Sequence, residues 1–459
     1  MNAPTVLTSV NPATGETITQ HRVHTEREID DLLDVTHAAG RSWSATPFAD
    51  RASVLRTTAE RLRAEAAELA ALMADEMGKP VSDGEAEAEK CAWVCEFYAE
   101  HAEEMLADVE RETDLARAWT SHRPLGTVLA VMPWNFPLWQ VFRFAAPSLM
   151  AGNAGVLKHA SNVTGSAIRI EELFSEAGLP DGVFRTLILP SARMEAVVAD
   201  DRVAAVTLTG SEAAGRAVAK TAGAHLKPSL LELGGSDPYV VLHDADVEEA
   251  ASVCAESRLT NSGQSCIAAK RFIVVDEVYE EFREAFVDAM AAAVVGDPHD
   301  RDTDVGPQAR HDLRDDLHDQ VRRSVEAGAS LLLGGEVPDG PGAYYPPTVL
   351  EGVGSASPAF AEEVFGPVAP LIRATDEAHA IALANDTDFG LGGAVFTADV
   401  DRGSRIAVEE IRTGNCFVNA KVASDPRLPF GGVGISGYGR ELSEHGIHAF
   451  VNAKTIAVR

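Results

Sequence analysis

From Gly126 onward the chain repeats one pattern, a short apolar run followed by a stretch of helical period. The runs Thr127–Met132, Ala154–Lys158, Phe184–Leu189, Val203–Leu208 and Leu230–Leu233 are separated by amphipathic segments. This alternation predicts a parallel sheet covered by helices. A second series follows, with strands near Tyr239–Leu242, Phe272–Val275, Leu331–Leu333, Ala394–Thr397 and Cys416–Asn419 and helices near Val278–Ala293 and Leu313–Ala327. Two α/β units in succession are the economical reading. No internal repeat occurs, and no linker is rich enough in Gly, Ser or Pro to separate independent domains.

The first hundred residues read as helices. Thr25 with Glu28, and Ser82 with Glu85, fit the capping-box pattern, and Gly78-Lys79-Pro80 ends the helix between them. Leu115–His122 is polar and extended and reads as a hairpin leaving the body of the molecule. A chain of 459 residues has room for about three domain-sized units, or two larger domains and an appendage.

Composition bears on partners. The 39 basic and 70 acidic residues give a formal charge of −31, a field that repels nucleic acid and anionic membranes. It suits either a highly soluble acidic protein or one adapted to high salt. No basic cluster followed by an apolar run opens the chain, and no apolar stretch has the length of a membrane span. A cytoplasmic location is the expectation.

The five cysteines are an odd number and do not suggest a disulfide framework. Cys91 and Cys95, one helical turn apart, read as core residues before metal ligands, and no metal site is expected. Cys254 and Cys416 lie in apolar surroundings and read the same way. Cys266 stands apart, in Asn261-Ser262-Gly263-Gln264-Ser265-Cys266, with Lys270-Arg271 placed to favour its thiolate. A lone loop cysteine is more often inert, so its meaning depends on its companions.

Three other strings supply them. Leu230-Leu231-Glu232-Leu233-Gly234-Gly235 sets one carboxylate in an apolar strand, where desolvation raises its pKa and fits it as a general base, unless it faces outward on a half-buried strand. Met132-Pro133-Trp134-Asn135-Phe136-Pro137 brackets an asparagine with prolines that fix the backbone, as a donor to a developing oxyanion requires. In Thr207-Leu208-Thr209-Gly210-Ser211-Glu212, Gly210 and Ser211 open a helix whose free N–H groups suit a pyrophosphate or an ordinary N-cap.

These strings, in this order, resemble the aldehyde dehydrogenase superfamily, from about Asn11 to the C-terminus. The wording of Trp134–Arg143, Leu231–Tyr239 and Asn419–Asp425 resembles its succinate-semialdehyde branch. The resemblance implies Cys266 as nucleophile, Glu232 as base, and Asn135 with the Cys266 N–H as oxyanion hole. For the cofactor, NADP or NAD, it implies Trp134, Lys158, Ser161, Gly210, Ser211, Glu363 and Phe365. Many NAD-preferring members carry glutamate where this chain has Ser161, which points to acceptance of NADP. Arg143 matches a residue that pairs with a substrate carboxylate, with Ser424 as helper, whereas Thr260 replaces a second arginine found in relatives.

The fold implied is α/β, with a Rossmann-like cofactor domain (1-109 and 127-233), an α/β catalytic domain (234-444) and a small β oligomerisation element (110-126 and 445-459) that makes a homodimer or homotetramer. The activity implied is oxidation of an aldehyde, foremost succinic semialdehyde, through a thioester released by water. A broader aldehyde specificity and a CoA-acylating relative are the alternatives, and Glu232 argues against the second. A thiol hydrolase would need a histidine partner that no string nominates. A non-catalytic module would not need Cys266, Glu232 and Asn135 together.

Overall fold

The computed structural model describes residues 5–459; positions 1–4, the start of the expected cofactor domain, lie outside them. Both α/β series form sheets. The first has six strands in the order Gly437–Tyr438, Ser229–Glu232, Val203–Thr209, Thr127–Met132, Ala154–His159 and Phe184–Thr186, parallel except for the Gly437–Tyr438 edge. Its central strand Thr127–Met132 is almost wholly buried, as a strand covered on both faces must be. The second has seven strands, ordered Ser330–Leu333, Thr348–Glu351, Val368–Ala374, Arg271–Val275, Pro238–Val241, Ala394–Phe396 and Phe417–Val418. The predicted run Phe184–Leu189 pairs only as far as Thr186.

Two strands of the second sheet escape the pattern reading. Val368–Ala374 contains Pro370 and Thr348–Glu351 follows two prolines, and proline argues against an interior strand. Here Pro370 lies opposite Leu350 in a parallel pair.

The N-terminal region needs two corrections. It opens with an antiparallel hairpin, Val6–Val10 with Thr17–Arg22, before its helices begin. Buried Glu76 ties this hairpin to the helix Thr164–Glu176: it accepts from Ser9 Oγ (3.3 Å), Gly165 N (2.7 Å) and Ser166 N (2.9 Å). The capping box of Thr25 and Glu28 is present, and Gly78 ends the helix Ala66–Met77 at φ 77°. Ser82 with Glu85 is no cap. The helix Val81–Met105 starts one residue before Ser82 on Pro80, and Glu85 pairs instead with Arg301 at 2.8 Å. The first N–H of that helix, Val81 N, donates to Pro298 O at 2.8 Å, so a neighbouring segment meets one of the unpaired donors of the helix start.

Cys91, Cys95 and Cys254 are buried core residues. The polar segment does leave the body: Arg117–Pro124 pairs with Val109–Arg111 and with the exposed C-terminal strand Val451–Val458 in a three-stranded antiparallel sheet. Among the described residues no helix is long and apolar enough to cross a membrane.

Candidate active site

The carboxyl ends of the parallel strands in the first sheet carry much of the chemistry, as is general for open α/β sheets. Asn135 follows Thr127–Met132, Lys158 lies at the end of Ala154–His159, Gly210 follows Val203–Thr209, and Glu232 ends Ser229–Glu232. Cys266 comes from the loop ahead of Arg271–Val275 in the second sheet.

That loop is held in a costly conformation. Asn261, Ser262 and Gly263 are all left-handed, at φ 53°, 57° and 75°, a state that non-glycine residues hold only when surroundings over-determine it. Asn261 Nδ2 donates to Asn135 O (2.7 Å) and Gln264 O (3.1 Å), Asn261 N to Asp83 (3.1 Å), and Gly306 N to Ser262 Oγ (2.9 Å). A Cβ on Gly263 would stand 2.3 Å from Gly366, so only glycine fits. Asn135 is locked to the same loop. Its Nδ2 donates to Gln264 O (2.9 Å) and its Oδ1 accepts from Gln140 Nε2 (3.0 Å). One amide hydrogen of Asn135 is therefore left over, and the Cys266 N–H has no backbone acceptor among the described residues.

The thiolate expectation needs correction. Burial pushes the Cys266 thiol up to about 12, outweighing the pull of Lys270 and Arg143. Lys270 Nζ is spent on carbonyls, donating to Cys266 O (2.7 Å) and Ser265 O (2.9 Å), and Arg271 braces Ser236 O, Leu383 O and Ala384 O. Lys270 thus fixes the loop's backbone while Arg271 ties the following strand to neighbouring segments, and the resting sulfur is a thiol.

Glu232 faces inward, with only 2% of its surface exposed. Its Oε1 has no hydrogen-bond partner, and burial raises its pKa well above the usual carboxylate range. Gly431 leaves room for it, since a Cβ there would sit 2.6 Å from Oε1. Arg143 forms a buried ion pair through Nε with Glu441 and donates to Thr209 Oγ1 at 3.3 Å. Its charge draws the pKa of both Glu232 and Glu441 down against a larger effect of burial.

A cavity of about 290 Å³ brings Cys266, Arg143 and Ser424 together with Trp139, Phe430 and Lys90. Sequence reading missed Lys90 and Glu87, which lie in the long helix Val81–Met105 with no local signature. Glu87 pairs with Lys79 at 2.5 Å and accepts from Leu138 N (2.8 Å) and Trp139 N (2.9 Å), capping the helix that carries Arg143. Glu441 belongs to the string Gly439-Arg440-Glu441, but nothing local announces that Arg143 is its partner.

The residues expected at the cofactor form a second group. Trp134 meets Phe365 edge to face at 5.7 Å between ring centres. Glu363 accepts from Gly235 N at 3.0 Å, and a Cβ on Gly234 would lie 2.2 Å from its Oε2. Lys158 is buried, its Nζ donating to Ser191 Oγ at 3.1 Å, and desolvation lowers its pKa to about 8. Ser161 lies three residues on, half-buried. Ser211 is the exposed N-cap of the helix Glu212–Ala224, with half-buried Gly210 beside it, where a Cβ would meet only the Leu208 side chain at 3.7 Å. A buried amine that lacks a counter-charge and a free helix N-terminus on the same sheet edge fit an anionic dinucleotide.

The residues 2–456 match the Aldehyde dehydrogenase family, and the chain belongs to that family of aldehyde-oxidising oxidoreductases. Within it, the sequence is 49% identical over 454 residues to the NADP+ succinate-semialdehyde dehydrogenase of Mycobacterium avium, covering 98% of this chain and 96% of the relative. It is 48% identical over 450 residues to a probable enzyme of the same name from Synechocystis, covering 98% and 99%. The crystal structure of succinic semialdehyde dehydrogenase from Streptococcus pyogenes in complex with NADP+ superposes with a TM-score of 0.96 at 38% identity, over 98% of this chain and 99% of that one.

Proposed function

We propose that this enzyme oxidises succinic semialdehyde to succinate with NADP as preferred cofactor, NAD serving less well. The supporting observation is one cavity that holds Cys266, Arg143 and Ser424, in a chain whose relatives carry that activity in their names. Glu232 in its ionised form takes the Cys266 proton as sulfur bonds to the aldehyde carbon. The spare Asn135 hydrogen and the Cys266 N–H stabilise the alkoxide, each donor contributing about 2.7–4 kcal/mol. NADP, when bound, supplies the acceptor for the hydrogen and electron pair leaving that carbon, and a thioester to Cys266 remains. Glu232 releases the proton taken from Cys266 to solvent and, ionised again, removes a proton from the water that attacks the thioester; succinate leaves and that proton returns to the Cys266 sulfur. Covalent catalysis splits one hard oxidation into two easier steps.

Lys158 and Ser161 serve the adenosine ribose and its phosphate, Gly210 and Ser211 the pyrophosphate, and Trp134, Glu363 and Phe365 the nicotinamide end. Residues 1-109 with 127-233 form the cofactor domain and 234-444 the catalytic domain. The sheet of 110-126 with 445-459 joins protomers as a dimer or tetramer, its long exposed strand Val451–Val458 being an edge that would otherwise invite uncontrolled pairing. The protein works in the cytoplasm.

Two measurements bear on this reading. Ser161→Glu places a charge against the 2′-phosphate; it lowers kcat/KM with NADP by about 100-fold and spares NAD, the scale of a charged contact made unfavourable in a partly buried site. Equal losses with both cofactors would remove Ser161 from the phosphate site. Arg143→Ala raises KM for succinic semialdehyde far more than for butanal, because the carboxylate loses a cation. It also lowers kcat for both aldehydes, since Glu441 is left buried without its partner. An equal change in KM for the two substrates contradicts the carboxylate role.

A further inference from the structure

Lys90 is the unused charge in the substrate cavity. It projects from the helix Val81–Met105 among Trp139, Arg143, Cys266 and Ser424. Its Nζ stands 4.5 Å from the centre of the Trp139 ring and donates to Ser424 Oγ at 2.8 Å. Every other charged group of the cavity is engaged. Glu87 is paired with Lys79, Lys421 with Glu256 and Arg143 with Glu441, and Asp83 accepts from Asn261 N. Asp425, beside Ser424, is bound to Arg427 at 2.6 Å. Among the described residues Lys90 alone in this cavity is a cation without a carboxylate.

A half-buried ammonium held only by a hydroxyl and a ring face is destabilised in the free protein. A substrate carboxylate relieves that cost. It meets two remaining N–H donors of Lys90 and the Ser424 hydroxyl, in a cavity where water competes poorly. Arg143 is less available, since its Nε and one Nη already serve Glu441 and Thr209. Thr260, in place of the second arginine known in relatives, also lines this cavity; the missing charge is replaced from a different helix.

Building on the acid-aldehyde reading above, we propose that Lys90, presented with Ser424, is the principal carboxylate-binding residue and sets the preference for acid aldehydes. Burial and the nearby Arg143 hold its pKa down at about 8, opposed by weaker contributions from Cys91, Glu87 and Asp425. The free site therefore loses its positive charge as pH rises past that value. The ratio of kcat/KM for succinic semialdehyde to that for butanal falls above about pH 8, while ionisation of Cys266 and Glu232 cancels in the ratio.

The test compares full-length wild type, Lys90→Met and Lys90→Arg with NADP, using succinic semialdehyde, glutaric semialdehyde and butanal between pH 6.5 and 9.5. Lys90→Met is expected to lower kcat/KM for both acids by about 100-fold, chiefly through KM, as for a charged hydrogen bond lost from a buried site. Butanal improves, because the cavity becomes more apolar. Lys90→Arg retains acid preference and abolishes its decline with pH. Equal losses for acids and butanal in Lys90→Met, or a wild-type ratio that is flat with pH, would overturn the assignment while leaving the acid-aldehyde reading intact. A wild type that prefers butanal to both acids overturns both. The pH ratio is read on wild type, so a variant that fails to fold does not block the test.

Discussion

Cys266→Ala should abolish aldehyde oxidation, lowering kcat/KM by at least about 10⁴-fold, the scale seen when a covalent nucleophile is deleted. The alanine fits, because it is smaller than the cysteine and the loop around it is held by Asn261, Ser262 and Lys270 rather than by the thiol. Cofactor affinity, read by quenching of tryptophan fluorescence, should stay within about threefold of wild type, since no charged contact is lost. Activity within tenfold of wild type would remove Cys266 from the mechanism. Serine at this position is expected to do little better, because a hydroxyl ionises far less readily than a thiol in a site that already pushes the cysteine up to about 12.

Glu232→Gln has a different signature. Thioester formation survives in weakened form, while hydrolysis slows by roughly 10³-fold, within the range for removal of a positioned general base. A single rapid turnover of reduced cofactor per active site is then followed by a very slow steady state, and mass spectrometry of the intact protein finds the acyl group on Cys266. The pH profile carries the same assignment. Burial, opposed in part by Arg143, raises the Glu232 pKa, so the carboxyl keeps its proton to higher pH than an exposed one and gains basic form as pH rises. Steady-state kcat of the wild type, if limited by hydrolysis, climbs with pH as Glu232 ionises, and Glu232→Gln flattens the climb. Unchanged release of succinate in the variant would assign the base elsewhere. Steady-state turnover accelerated by CoA in the wild type, with an acyl-CoA as product, would favour the acylating alternative.

The two effects are separable because the residues occupy separate supports. Cys266 rides on a strained loop tied to Asn135 through Asn261 and Gln264, whereas Glu232 ends a strand and shares Arg143 with Glu441 electrostatically. Losing one should leave the geometry of the other in place.

What the residues themselves determined is the part governed by local rules. Apolar runs alternating with amphipathic segments define the parallel strands, Thr25 with Glu28 and Gly78 mark helix ends, and the strings around Asn135, Glu232 and Cys266 are distinctive enough to place the chain in its family. The N-terminal hairpin was hidden because its second strand, Thr17–Arg22, is largely exposed and polar, leaving no hydrophobic alternation to read. The strand Val368–Ala374 was hidden by Pro370.

Only the tertiary structure decided the electrostatics. Lys270 and Arg271 adjoin Cys266 in the chain, yet their hydrogen bonds go to carbonyl groups, and the sulfur's burial prevails over their charge. Arg143 looked free for a substrate, yet it meets Glu441 from the far end of the chain. Lys90 and Ser424 are 334 positions apart and touch. Pairing and desolvation depend on which groups the packed fold brings within a few ångströms of one another and removes from water, and neither quantity is carried by neighbours in sequence.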